Sequence, residues 1–273
     1  MGRLGARFQA LRARGESALI PFITAGDPDL ETTERLLYAL QEAGADAIEI
    51  GVPFSDPMAE GPTIQRSSER ALLKGTSLRQ VLAMVRKVRT GIDVPLILMG
   101  YANNFLVMGD DGFAEAASEV GVDGVIVVDL PPEEGVDFYA ALRERGVDPI
   151  LLAAPTTTPE RARMLVRETR GFLYYVSLTG VTGARAAIGE GVEAAVRSLQ
   201  SLSDVPVCVG FGVATPEHAG IVGGFADGVV VGSALVDRID RAASPDEAIE
   251  EASRFVAELK APLFRERRGS GPT

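Results

Sequence analysis

EAGADAIEI, Glu42–Ile50, holds the pattern that decides the fold. A helical segment ends at a small turn around Gly44, and Asp46 then leads into a short apolar run. The same figure returns in EVGVDGVIV (Glu119–Val127), ERGVDPILL (Glu144–Leu152) and GGFADGVVV (Gly223–Val231). Working outward from these four, further short apolar runs bounded by Gly, Pro or Asp complete a series of strand candidates. In order they are ALIPFIT (Ala18–Thr24), DAIEIGV (Asp46–Val52), PLILMGY (Pro95–Tyr101) and DGVIVVD (Asp123–Asp129). PILLAAP (Pro149–Pro155), FLYYVSL (Phe172–Leu178), PVCVGFG (Pro206–Gly212) and DGVVVGS (Asp227–Ser233) follow. Each precedes a helix-length segment of mixed polarity, and no Pro/Gly/Ser-rich linker divides the series. This alternation predicts an α/β protein, a single eight-stranded parallel (β/α)8 TIM barrel spanning residues 1–265. The competing arrangement is an open doubly wound sheet.

The ends of the chain are read separately. MGRLGARFQALRARG carries four arginines and no acid, superficially like a transit peptide. Leu4, Phe8 and Leu11 fall on one helical face, so an extra N-terminal helix covering one end of the barrel is expected. Residues 266–273 are expected to be a disordered tail. The 273 residues are 46% hydrophobic with a formal net charge of -11, which argues against a nucleic-acid or anionic-membrane surface. No apolar run approaches the roughly 20 residues of a membrane span. A single cysteine, Cys208, excludes internal disulfides and favours a reducing, cytoplasmic compartment. A single histidine, His218, makes His-rich metal sites unlikely, and no metal is expected.

Strand parity singles out one acid. In DAIEIGV, Ile48, Ile50 and Val52 share a face that a helical shell would cover, while Ala47, Glu49 and Gly51 share the other. Glu49 therefore points into the barrel near its C-terminal mouth, between small neighbours. An unpaired carboxylate there costs several kcal/mol, roughly, so it needs a raised pKa or a partner. A core ion pair is the structural alternative, but none of the strand candidates contains Lys or Arg. A general acid or base is the functional reading. Glycine-bearing segments close the last strands: GVTGAR from Gly180, GFGVATPEHA from Gly210 and VGSALVD from Val231. Backbone N–H groups in such loops, with the helix starts behind them, suit a phosphate. Tight turns would need the same glycines.

At these positions the chain resembles the tryptophan synthase alpha subunit family over nearly its whole length. The resemblance rests on PFITAGDP (Pro21–Pro28), GADAIEIGVPFSDP (Gly44–Pro57), GPTIQ (Gly61–Gln65) and the Tyr-Ala-Asn of MGYANN (Met99–Asn104). GVDGVIVVDLPPEE (Gly121–Glu134), YYVSLTGVTGAR (Tyr174–Arg185), FGVATPEHA (Phe211–Ala219) and VGSALV (Val231–Val236) extend it. Family resemblance implies retro-aldol cleavage of indole-3-glycerol phosphate to indole and glyceraldehyde 3-phosphate, with no cofactor in this chain. It implies a beta-subunit partner in an alpha2beta2 assembly, with pyridoxal phosphate in that partner, to which indole passes. Glu49 matches the family's catalytic glutamate, which protonates the indole ring. Glu60 stands where the family's usual second acid is aspartate, the group that accepts a hydrogen bond from the indole N–H. The extra methylene shifts the carboxylate by more than about 1 Å unless the backbone adjusts, and such a misplacement can cost about 10²-fold. Either the loop from Pro53 to Pro62 retracts, or the lyase is slow.

By the same resemblance Phe22, Ile64, Tyr101, Tyr174 and Phe211 line the indole and glycerol pocket, although ordinary barrel core would use such residues too. Gly183, Gly212, Gly232 and Ser233 hold the phosphate, and Thr182 closes over the site as part of a lid. Pro53, Asp56, Asn103 and Asp129 resemble the face that meets the beta subunit. His218 is expected on the surface of the helix after Thr215, Cys208 in the core, and the charges of RKVR (Arg86–Arg89) on a solvated helix face. Competing functions are a weakened regulatory subunit that docks on and activates the beta subunit, a stand-alone indole-releasing lyase, and another phosphate-binding barrel such as a sugar-phosphate isomerase.

Overall fold

The computed structural model describes residues 2–176, 190–210 and 212–264. Its strands are β1 (Ala18–Thr24), β2 (Ile48–Gly51), β3 (Leu96–Gly100), β4 (Gly124–Val127) and β5 (Asp148–Ile150). They continue as β6 (Leu152–Ala153), β7 (Leu173–Val176), β8 (Val207–Gly210) and β9 (Gly228–Val231). All pairings between these strands are parallel, in the order β5-β4-β3-β2-β1-β9-β8-β7-β6. The two ends of that order, β5 and β6, are separated in sequence by Leu151 alone, so the sheet closes on itself. Nine segments thus stand where eight strands are predicted, because the fifth strand is interrupted. Leu151 donates its N–H sideways to Thr169 Oγ1 at 3.1 Å while its carbonyl accepts from the Tyr174 N–H at 3.0 Å.

Alternation along the strands sorts the apolar residues into two cores. Leu19, Ile23, Ile48, Ile50, Leu96, Leu98, Val125 and Val127 pack outward beneath the helices. Ala18, Ile20, Ala47, Ile97, Ile126, Ile150, Tyr174, Cys208 and Val230 fill the interior. The expected N-terminal helix runs from Arg3 to Arg14 and ends at Gly15, whose φ of 71° is a left-handed cap. Its Leu4, Phe8 and Leu11 join the interior cluster and plug the N-terminal end of the barrel. The predicted tail, 266–273, lies outside the described residues. Among the described residues no helix is long and apolar enough to cross a membrane.

The Asp that introduces each repeated figure has a physical task at three of four positions. Asp46 accepts from the Leu19 N–H at 2.8 Å, Asp123 from the Leu96 N–H at 2.9 Å, and Asp227 from the Val207 N–H at 3.0 Å. Each carboxylate thereby pairs a backbone donor of the neighbouring strand that the sheet ladder does not reach. Cations or amides complete them: Lys260 on Asp46, Arg89 and Arg3 on Asp123, and Gln200 on Asp227. Asp148 is the exception. Burial, with Asp123 nearby, pushes its carboxyl up to about 6.

Arg89 corrects the reading of RKVR as a wholly solvated face. Arg86 and Lys87 do form exposed pairs with Glu119 and Glu34. Arg89 instead turns inward, where it bonds Asp123 and the carbonyls of Ile92 and Val94. Cys208 is fully buried, and His218 sits half-buried on the helix Pro216–Gly223, its N–H bonded to the capping Thr215 hydroxyl. Asp123→Ala removes the acceptor of the Leu96 N–H and leaves the half-buried Arg89 without its carboxylate. Urea unfolding is expected to show a loss of about 3–5 kcal/mol, the cost of breaking a buried pair from one side. A loss under about 1 kcal/mol would mean that this carboxylate does not hold the strands.

Candidate active site

The C-terminal ends of the strands open into a cavity lined by Phe22, Glu49, Met99, Tyr174 and Val230 from the barrel wall. Glu60, Gly61 and Ile64 close it from the segment after β2, Gly212, Val213 and Ala214 from the segment after β8, and Gly232, Ser233 and Ala234 from the segment after β9. Strand register explains how the wall assembles. Glu49 lies beside Phe22 on one side and Ile97 on the other, and parallel partners point their side chains to the same face. Glu49 is 1% exposed, and its Oε2 has no hydrogen-bond partner among the described residues. Nor is it in any ion pair there, so the core ion-pair alternative has no support among those residues.

Such a carboxyl is held in its neutral form. Burial, with the charge of Glu60 adding to it, pushes the Glu49 pKa up to about 8. Glu60, half-buried at the cavity wall, is pushed up by burial to about 7. The two acids share one cavity, so protonation of one eases ionisation of the other. Tyr174 is fully enclosed, and burial, then Glu49 and Glu60, keep its hydroxyl far above the usual range. Its ring fills the space over Gly210, where a Cβ would lie 2.1 Å from the tyrosine oxygen. Beside Glu49, the space left by Gly51 is taken by the Phe22 ring, since a Cβ there would lie 2.5 Å from Phe22 Cζ. The small neighbour makes room for an aromatic wall.

Directly after β9, two strands along from β2, the helix Ser233–Arg241 begins without a side-chain cap and without an acid in its first turn. Its earliest intrahelical donors, the N–H groups of Leu235 and Val236, both reach Gly232 O. Ser233 and Ala234 both line the cavity, and the uncapped first turn of a helix favours an anion. The helix after β8 differs: Thr215 caps it, accepting from the His218 N–H at 3.2 Å.

Most of the predicted site residues come together here. Phe22, Glu49, Glu60, Ile64, Tyr174, Gly212, Gly232 and Ser233 all line the cavity. Thr182, Gly183 and Phe211 lie outside the described residues. Tyr101 is buried but is not among the lining residues. Met99 and Val230 line it without having been singled out, although parity from Ile97 and Gly228 would have found both. Of the four residues assigned to a partner face, Asp56, Asn103 and Asp129 are exposed and Pro53 is buried. Asp129 also accepts from the Ala102 N–H at 2.7 Å, a local structural use. The exposed apolar side chains Met58 and Val107 stand on the same rim, 89% and 79% accessible. Among the described residues no group of three or more His, Cys, Asp or Glu is placed to hold a metal ion.

Residues 8–263 match the family model of the tryptophan synthase alpha chain. The chain belongs to that family. The tryptophan synthase alpha chain of Acidithiobacillus ferrooxidans is 53% identical over 272 residues, 99% of this chain and 100% of that one. That of Geobacter sulfurreducens is 51% identical, over 95% of this chain and 98% of that one. Among solved structures, the alpha subunit from Legionella pneumophila str. Paris superposes with a TM-score of 0.89 at 40% identity, over 96% and 98% of the two chains. A chain of tryptophan synthase from M. tuberculosis in an open form gives 0.88 at 36% identity, over 97% and 100%. The chain is accordingly a carbon–carbon lyase of tryptophan biosynthesis, of the family that cleaves indole-3-glycerol phosphate.

Carbon-13 labelling of glutamate carboxyls tests the electrostatics directly. The Glu49 signal is expected to titrate near pH 8, and Glu60→Gln to lower that midpoint by removing a like charge. A Glu49 midpoint below about 5 in the folded protein contradicts a neutral buried acid.

Proposed function

We propose that Glu49 is the general acid and Glu60 the second acid of a retro-aldol cleavage that yields indole and glyceraldehyde 3-phosphate. The observation that carries this is the buried Glu49 carboxyl, whose Oε2 has no hydrogen-bond partner among the described residues, in the same cavity as Glu60. Glu49 gives its proton to the ring carbon that bears the glycerol chain. Glu60, as carboxylate, accepts the indole N–H and offsets the positive charge that develops on the protonated ring. The carbon–carbon bond then breaks, its electrons return to the ring, and the adjacent hydroxyl becomes the aldehyde. The hydroxyl proton returns to the carboxylate left on Glu49, so the acid is regenerated and no cofactor is consumed. Proton transfer of this kind contributes about 10² to 10⁴ in rate.

Phe22, Ile64 and Tyr174 form the apolar wall for the indole, joined by Phe211. The phosphate sits at Gly232 and Ser233, with Gly212 and Gly183 approaching it, and Thr182 closes the site. The uncapped helix start supports the phosphate assignment. Pro53, Asp56, Asn103 and Asp129 meet a beta subunit, which carries pyridoxal phosphate and receives the indole in an alpha2beta2 assembly. The exposed Met58 and Val107 on that rim support a docking role for it. The reaction is placed in the cytoplasm.

Cleavage of indole-3-glycerol phosphate by the assembled enzyme tests the two acids separately. Glu49→Gln is expected to lose at least about 10² in kcat while substrate binding holds. Glu60→Asp is expected to stay within about threefold of the native rate. Near-native turnover in Glu49→Gln overturns the assignment of the acid. A tenfold gain in Glu60→Asp instead supports the weakened regulatory subunit.

A further inference from the structure

We propose that Tyr101 is a positioning residue for Glu60, acting through the backbone of the loop that carries it; this rests on Glu60 being the second acid. The loop leaves β2 at Pro53 and ends at Gly61, where the helix Pro62–Leu73 begins. Both of its limbs are fastened to the segment that opens the short helix Ala102–Leu106 after β3. On the outgoing limb, Asn104 donates its side-chain amide to the Pro53 carbonyl at 3.2 Å, and the Phe54 ring stacks on Tyr101 with centroids 5.0 Å apart and planes 19° apart. On the returning limb, the Ala59 N–H donates to the Tyr101 hydroxyl at 2.9 Å. Asn104 in turn accepts from the Tyr101 N–H at 2.9 Å, which fixes the two clamp residues to each other.

Glu60 follows directly on the clamped peptide. Its own N–H donates to the Pro57 carbonyl at 3.0 Å, and its carbonyl accepts from the Gln65 side-chain amide at 3.0 Å. With Ala59 tied to Tyr101, the backbone of Glu60 is held from the strand side, the turn side and the helix side. The Ala59 bond ties the returning limb to the segment after β3, where Tyr101 is buried. A loop otherwise carrying exposed Ser55, Asp56, Met58 and Ala59 has little other packing to place an acid to within the tolerance that catalysis needs. The aromatic stack adds area and orientation that the hydroxyl alone would not supply. Tyr101 is therefore withdrawn from the substrate wall and assigned to the loop, which is consistent with its absence from the cavity lining.

Tyr101→Phe removes the acceptor for Ala59 and keeps the stack on Phe54, and it is small enough to leave the fold intact. Amide exchange at Ala59 is expected to speed up at least about tenfold, with thermal stability within about 2 °C of the native chain. In the assembled enzyme, kcat for cleavage of indole-3-glycerol phosphate is expected to fall about tenfold with KM within about twofold. In a Glu60→Gln background the same substitution is expected to cost less than about twofold, because the group being positioned is gone. A full tenfold loss in that background overturns the proposal, since Tyr101 would then act on substrate directly. Unchanged Ala59 exchange overturns it as well. If Glu60→Gln alone keeps native activity, the assignment of Glu60 fails, and with it positioning for catalysis, while accelerated Ala59 exchange still identifies Tyr101 as the loop's clamp.

Discussion

A carboxyl group buried with no hydrogen-bond partner among the described residues is the constraint on which the site depends. Glu49 sits in an apolar barrel interior, one oxygen unpaired, beside Phe22 and across from Tyr174. In its charged form such a group costs roughly several kcal/mol, a large share of a folded domain's net stability. Its neutral form is tolerable, and a neutral acid at physiological pH is what protonation of a ring carbon requires. The same burial that makes Glu49 a poor structural residue makes it a usable acid. Glu60 completes the arrangement from the loop side, less buried and therefore easier to ionise.

The two ends of the barrel divide the work. At the N-terminal end, Asp46, Asp123 and Asp227 bind backbone donors of neighbouring strands, and the helix Arg3–Arg14 seals the interior with Leu4, Phe8 and Leu11. These charges are paired and structural. At the C-terminal end, among the described residues, Glu49 Oε2 has no hydrogen-bond partner and a helix starts at Gly232 without a side-chain cap. Stability concentrated at one face and chemistry at the other is the usual economy of this architecture.

Much of this was legible in the chain itself, for identifiable reasons. The strands follow from the apolar runs, four of them led by Asp, because each run is short and bounded, and Glu49 follows from alternation because a strand offers only two faces. The break at Leu151 was not legible, since it depends on the Thr169 hydroxyl 18 residues away. Arg89 looked solvated because a run of charges does not reveal that one of them turns inward to meet Asp123. Met99 could have been found by parity, but the place of Tyr101 could not, because its hydroxyl bonds a loop 42 residues earlier in the chain. Interactions set by local period are readable, whereas those set by one side chain crossing to a distant backbone are not.

The most direct measurement of the central claim is the pH dependence of kcat/KM for cleavage of indole-3-glycerol phosphate by the assembled enzyme. The proposed mechanism requires Glu49 protonated and Glu60 ionised. With midpoints near 8 and near 7, the profile is a narrow bell that rises through about pH 7 and falls through about pH 8. A rate that stays level from pH 6 to pH 9, or that keeps rising above pH 8, would contradict a buried neutral Glu49 as the proton donor.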